Sequence, residues 1–160
     1  NNGFSTLRFN FRGVGKSDGK FDNGEGELSD SAAILDWLQN NNPNAKTCWV
    51  AGFSFGSWIA MQLLMRRPEI NRFVAISPQP NIYDFSFLSP CPTSGIMIYG
   101  KKDELVPMEH INDLNKRLSA QKGIKVEFDA ITDANHFFAK TDQQLVKSLN
   151  NYIKKETALY

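Results

Sequence analysis

Cysteine, histidine and net charge are all scarce in this chain. Two cysteines, Cys48 and Cys91, cannot build a disulfide framework among 160 residues, and they lack metal-ligand spacing. They read as reduced thiols of a cytoplasmic protein. A formal net charge of +1 carries no electrostatic footprint for nucleic acid or an anionic membrane surface. No apolar run approaches about 18 residues, so neither a transmembrane helix nor a signal peptide is expected from these residues. Repeats, low-complexity tracts and linkers are missing as well. With two histidines only, any imidazole base must be His110 or His136. What remains is ordinary for a globular protein: 41% hydrophobic and 22% charged residues over 160 positions, read as one domain spanning 1–160 with a real core. No metal or cofactor is expected, and nothing in the residues sets an oligomeric state.

Strand-like and helix-like segments alternate, the pattern of an α/β protein with a mostly parallel sheet and flanking helices. Residues 4–11 read as a strand, and 27–40 as a helix with Leu28, Ala32, Leu35 and Leu38 on one stripe. A second strand over 47–51 leads into a helix over 55–66 that is apolar nearly all round and therefore buried. Residues 72–77 and 95–99 are continuous apolar runs, as expected for the covered middle of a parallel sheet. Met108, Ile111, Leu114 and Leu118 mark a helix, and the alternation over 125–130 predicts a sheet edge with one wet face. Leu145, Val146, Leu149, Tyr152 and Ile153 form the stripe of a closing helix.

Between the second strand and the second helix stands Gly52-Phe53-Ser54-Phe55-Gly56, a G-x-S-x-G pentapeptide. A strand that reverses sharply into a helix forces the serine into a strained conformation and exposes its hydroxyl, the nucleophile elbow. The flanking glycines are expected because a Cβ at either position collides with a neighbouring element. The helix start points the Phe55 backbone N–H and its positive dipole end at the site where an oxyanion would form.

A serine nucleophile needs a base, and the base needs an orienting carboxylate. His110 falls inside an amphipathic helix and reads as a surface residue. His136 lies in a turn-like stretch after the last strand, where a loop can deliver its ring to the strand ends. For the carboxylate, Asp103 follows the apolar strand that ends at Gly100 and so emerges from the C-terminal end of a central strand, where ligands gather in open α/β folds. Glu104 is a weaker neighbour, Asp84 arrives one strand too early, and Asp133 reads as a turn residue. The chain order Ser54, Asp103, His136 is the one α/β-hydrolases use. Gly13-Val14-Gly15-Lys16-Ser17 imitates the end of a phosphate-binding loop, but Asn10 stands where that motif needs glycine, and Asp18-Gly19 breaks any following helix.

With these stretches in place, the chain resembles a family of lidless bacterial α/β-hydrolases, predicted esterases akin to dienelactone hydrolases. The resemblance rests on residues 7–15, 51–56, 85–92 and 135–138 and extends over essentially the whole chain. It implies Ser54 as nucleophile, His136 as base, Asp103 as orienter, and residues 4–11 as the fourth of eight strands. Members of the family carry about three further strands and a helix ahead of that point. That segment includes the loop supplying the second oxyanion N–H, a donor whose loss typically costs about a hundred- to a thousand-fold in rate. The chain therefore reads as most of a hydrolase lacking its first strands and any cap domain. Residues 4–11 should then either pair directly with 47–51 or leave two ladders unpaired.

The connection over 77–92 is too short for an independent lid. Phe53, Trp58, Tyr83, Phe85 and Phe137 are the residues expected to line an apolar acyl pocket, with a small-molecule acyl substrate as the partner. The function expected is a serine hydrolase of carboxylesterase type. The alternative is a non-catalytic scaffold that binds a ligand or partner through the unpaired strand 4–11, or an inactive fragment of a hydrolase.

Overall fold

A computed structural model describes residues 3–158. Its elements follow in the order α1 (Glu25–Asn40), β1 (Trp49–Phe53), α2 (Phe55–Arg66), β2 (Arg72–Ile76), β3 (Gly95–Gly100), α3 (Met108–Ser119), β4 (Val126–Ile131) and α4 (Asp142–Thr157). The four strands form one parallel sheet in the order β1-β2-β3-β4, with Ala51 level with Val74, Val74 with Ile96, and Ile98 with Asp129. Parallel neighbours need crossovers, and α2 and α3 supply two of them, a third running through a single 3₁₀ turn at Ser86–Leu88.

Side chains alternate across each strand, so the sheet divides the core in two. Phe73, Ala75 and Met97 point to one face, where Leu35 of α1, Met61 and Leu64 of α2, and Leu114 and Leu118 of α3 close over them. Val74, Ile96 and Ile98 point to the other, beneath Tyr152, Leu145 and Leu149 of α4. Two covered faces explain why β2 and β3 read as unbroken apolar runs. β4 is an edge strand among the described residues, and its wet positions are used: Glu127 pairs with Lys155 and Lys125, and Asp129 accepts from the Ser148 hydroxyl. Val146, expected on the apolar stripe of α4, is instead exposed.

Residues 4–11 do not form a strand. An extended segment becomes a strand only by sharing a ladder, and β1 pairs with β2 alone among the described residues. The segment is held by rings instead. Phe4 meets Trp49 edge-on at 5.0 Å at the start of β1, and Phe11 meets Phe55 at 5.4 Å at the start of α2. β1 itself sits two residues later than expected, running up to Ser54 without a gap. Among the described residues, no helix is long and apolar enough to cross a membrane.

The start of α1 is fixed by a buried carboxylate. Glu27 accepts the backbone N–H groups of Gly24 and Asp22, both at 2.9 Å. Asp30 on the same helix accepts from the Nε and Nη2 groups of Arg12, at 2.8 and 2.7 Å. Burial opposes ionisation of Glu27, but the backbone donors outweigh it and hold its carboxyl below 4.5; the hydrogen bond from Arg12 holds Asp30 below 3.8. Depressed folded-state values mean that this stability is complete above those reference values and is lost as pH falls beneath them. Urea unfolding midpoints are accordingly expected to drop below about pH 4.5. Glu27→Gln should lower stability by about 1–3 kcal/mol at neutral pH, since it leaves one N–H facing an amide N–H. It should also flatten part of the acid slope, and an unchanged slope would refute this account of the helix start.

Candidate active site

Ser54 occupies the turn between β1 and α2 at φ 54° and ψ −120°, a region that a residue with a Cβ enters only when the surroundings impose it. Its N–H donates to the Ile76 carbonyl at 2.8 Å, continuing the β1–β2 ladder by one bond. Its carbonyl accepts from the Ser57 N–H at 3.0 Å and the Ser57 hydroxyl at 2.6 Å, which pins the first turn of α2. Gly52 is required by this reversal, because a Cβ there would stand 2.1 Å from the Gly56 carbonyl oxygen. Gly56 is not required in the same way. The nearest neighbour of a Cβ at 56 is a Phe11 ring carbon at an ordinary 3.6 Å.

Asp103 and His136 reach the same point from β3 and β4. Gly100 closes β3 where the Ala134 carbonyl oxygen would lie 2.1 Å from an added Cβ, so only glycine lets the 132–138 loop settle across the end of β3. The Lys102 N–H then donates to that carbonyl at 2.9 Å, and the Ser77 hydroxyl donates to the His136 carbonyl at 2.8 Å. His136 is thereby held with its ring 2% exposed. Its Nδ1 lies 2.7 Å from Asp103 Oδ2 and its Nε2 lies 2.9 Å from Ser54 Oγ. The second carboxylate oxygen, Oδ1, accepts the backbone N–H groups of Leu105 at 2.8 Å and Val106 at 3.1 Å. A hydroxyl, an imidazole and a fully hydrogen-bonded carboxylate thus stand in series.

The other candidates stand elsewhere. Asp133 pairs with Lys102 at 2.8 Å, Asp84 accepts the N–H and hydroxyl of Ser86, Glu104 is exposed, and His110 faces Glu109 on α3. Among the described residues no three His, Cys, Asp or Glu side chains converge as a metal site would need. Both cysteines are free, with burial pushing each thiol above its ordinary value.

The five aromatic residues expected around an acyl group separate into three environments. Phe53 and Phe137 flank the His136 ring at 5.5 and 5.1 Å and are 42% and 69% exposed. Trp58 stacks on Tyr83 at 4.8 Å, and both rings pack against Phe55. Phe85 is 2% exposed within the main core, so the structure assigns it to packing and not to a pocket wall. One contact was not anticipated from sequence. Gln79, 7% exposed on the loop after β2, has Oε1 2.9 Å from Ser54 Oγ. Its only sequence signal is its position just past the C-terminal end of a central strand, the same position that marks Asp103.

A sequence profile of the dienelactone hydrolase family matches residues 16–159. The chain belongs to the dienelactone hydrolase family. An uncharacterized protein of Rickettsia prowazekii is 54% identical over 156 residues, covering 95% of this chain. The chain spans 66% of that relative's length. Among solved structures, a protein of unknown function from Agrobacterium tumefaciens, provisionally described as an α/β-hydrolase, superposes with a TM-score of 0.95 at 52% identity. That match covers 98% of this chain and 72% of the other. A serine hydrolase without lid from Xanthomonas campestris superposes at 0.82 with 31% identity, over 92% of this chain and 65% of its own. The four parallel strands with flanking helices are thus an α/β-hydrolase sheet.

Proposed function

We propose that this protein is a serine hydrolase that cleaves carboxylic esters of small acyl groups through an acyl-enzyme on Ser54. The observation that carries the reading is the unbroken series from Ser54 Oγ through His136 to Asp103, with contacts of 2.9 and 2.7 Å. Ser54 Oγ attacks the acyl carbon as its proton passes to His136 Nε2, and the imidazolium is stabilised by the Asp103 carboxylate. The developing oxyanion is met by the Phe55 N–H at the positive end of α2. Collapse expels the alkoxide, which takes the proton from Nε2. A water then gives its proton to Nε2 and attacks the acyl carbon, releasing the acid and restoring Ser54. The family's description names a lactone, itself a cyclic carboxylic ester, which supports ester over amide substrates. Phe53 and Phe137, exposed beside His136, are the surface on which an acyl or leaving group would rest.

The deciding experiment is fluorophosphonate labelling of the full-length protein with mass mapping of the modified residue. This reagent needs an activated serine and not merely a pocket. Stoichiometric label on Ser54 is the expected outcome. Label on another residue, or none on a folded protein, rules the mechanism out.

A further inference from the structure

The chain leaves β2 as Ser77-Pro78-Gln79-Pro80-Asn81, three polar residues alternating with two prolines. Two of the polar side chains reach the Ser54–His136–Asp103 series, and the third reaches the turn that follows Asp103. Ser77, 1% exposed and at φ 46°, donates to the His136 carbonyl at 2.8 Å. Gln79 Oε1 lies 2.9 Å from Ser54 Oγ. Asn81 Nδ2 donates at 2.9 Å to the carbonyl of Leu105, the residue whose N–H is bound by Asp103. Proline fixes φ near −65° and removes backbone freedom, so the segment is a stiff comb with little slack between its teeth.

Gln79 is the tooth that touches the reacting atom. A serine hydroxyl has one proton to donate. Ser54 has two acceptors for it at the same 2.9 Å, Gln79 Oε1 and His136 Nε2. Given to Oε1, the proton points away from the base and the oxygen is not primed. We propose that the Gln79 carboxamide oxygen is a latch on the resting nucleophile, a bond that must be given up before Ser54 can attack. The latch rests on the hydrolase reading above. Its opening exchanges the Ser54 O–H···Oε1 hydrogen bond for O–H···Nε2; no covalent bond changes, and the proton stays on Ser54 until attack begins.

Gln79→Met keeps the length and burial of the side chain but removes the acceptor. In the full-length protein it is expected to raise the maximal rate of fluorophosphonate labelling about five-fold, the worth of one ordinary hydrogen bond, without moving the half-saturating concentration. Gln79→Glu, a charged acceptor of the same shape, should lower that rate about ten-fold. A merely structural role would slow labelling in both. Equal or slower labelling of Gln79→Met therefore overturns the latch. Should that variant fail to fold, Gln79→Asn stands in with the same expected sign, its amide one methylene too short to hold the hydroxyl. A double-mutant cycle of Ser54→Ala and Gln79→Met in urea unfolding reads the bond without any activity. A coupling of about five-fold in the folding constant is expected, and strict additivity rejects the latch. Coupling in a protein that never labels rejects the hydrolase reading while leaving the Ser54–Gln79 bond in place; labelling without coupling rejects the latch alone.

Discussion

Ser54→Ala is expected to reduce ester turnover about a million-fold, to the background rate, while the protein keeps its fold. The size follows from what the hydroxyl does in the proposed mechanism. Without Oγ no acyl-enzyme forms, and His136 and Asp103 have no nucleophile to serve. Residual hydrolysis could come only from binding and the Phe55 N–H acting on a water. Stability should respond differently, and a companion variant makes that visible. Ser54 sits at φ 54° and ψ −120°, where any side chain with a Cβ is strained by about 1–3 kcal/mol. Ser54→Ala keeps the Cβ and therefore the strain. Ser54→Gly loses the same hydroxyl but relieves the strain, offset by about 0.5–1 kcal/mol of extra freedom in the unfolded chain. The glycine variant should thus be about 1 kcal/mol more stable than the alanine variant and equally inactive. Turnover of a short acyl ester and urea unfolding of both variants test the pair. Turnover surviving in Ser54→Ala refutes the nucleophile assignment; equal stability of Ala and Gly refutes the strained elbow.

Much of this architecture was legible because local and global preferences agree. The runs Phe73–Val74–Ala75 and Ile96–Met97–Ile98 are apolar on both faces, and the fold covers both faces. Ser54, Asp103 and His136 each stand just past a strand, so their meeting at one end of the sheet follows from parallel topology. Residues 4–11 show where such reading stops. Phe4, Phe9 and Phe11 suit a pleated surface, but strand propensity says only that a segment fits a sheet, and the ladder partner is a non-local fact. Phe85 and Phe137 carry the same side chain, one 2% and the other 69% exposed, and no local pattern separates them. Gln79 was illegible for a third reason. A lone glutamine between two prolines has no spacing rule, and its meaning comes entirely from the 2.9 Å to a serine twenty-five residues earlier.

Asp103→Asn is expected to lower ester turnover about ten-thousand-fold with little loss of stability, although it exchanges one oxygen for a nitrogen of the same size. The reason lies in the partners of Asp103. Oδ1 accepts two backbone N–H groups, from Leu105 and Val106, and an amide placed there must keep its oxygen on that side. Its NH₂ group then faces His136 Nδ1, where the carboxylate oxygen had been at 2.7 Å. A donor in that place forces Nδ1 to accept, which moves the imidazole proton to Nε2. The nitrogen 2.9 Å from Ser54 Oγ now carries a hydrogen and has no lone pair with which to take the serine proton. The ring keeps its position and loses its function. Asp103→Ala should act differently, leaving both backbone N–H groups without an acceptor in a site where the side chain is only 4% exposed, so that stability falls by about 2 kcal/mol or more together with activity. Measuring turnover and urea unfolding for the two variants separates the roles. An asparagine variant that retains turnover within ten-fold of the parent would remove Asp103 from the mechanism, whereas one that unfolds as easily as the alanine variant would show that its charge, and not its hydrogen-bond geometry, holds the loop.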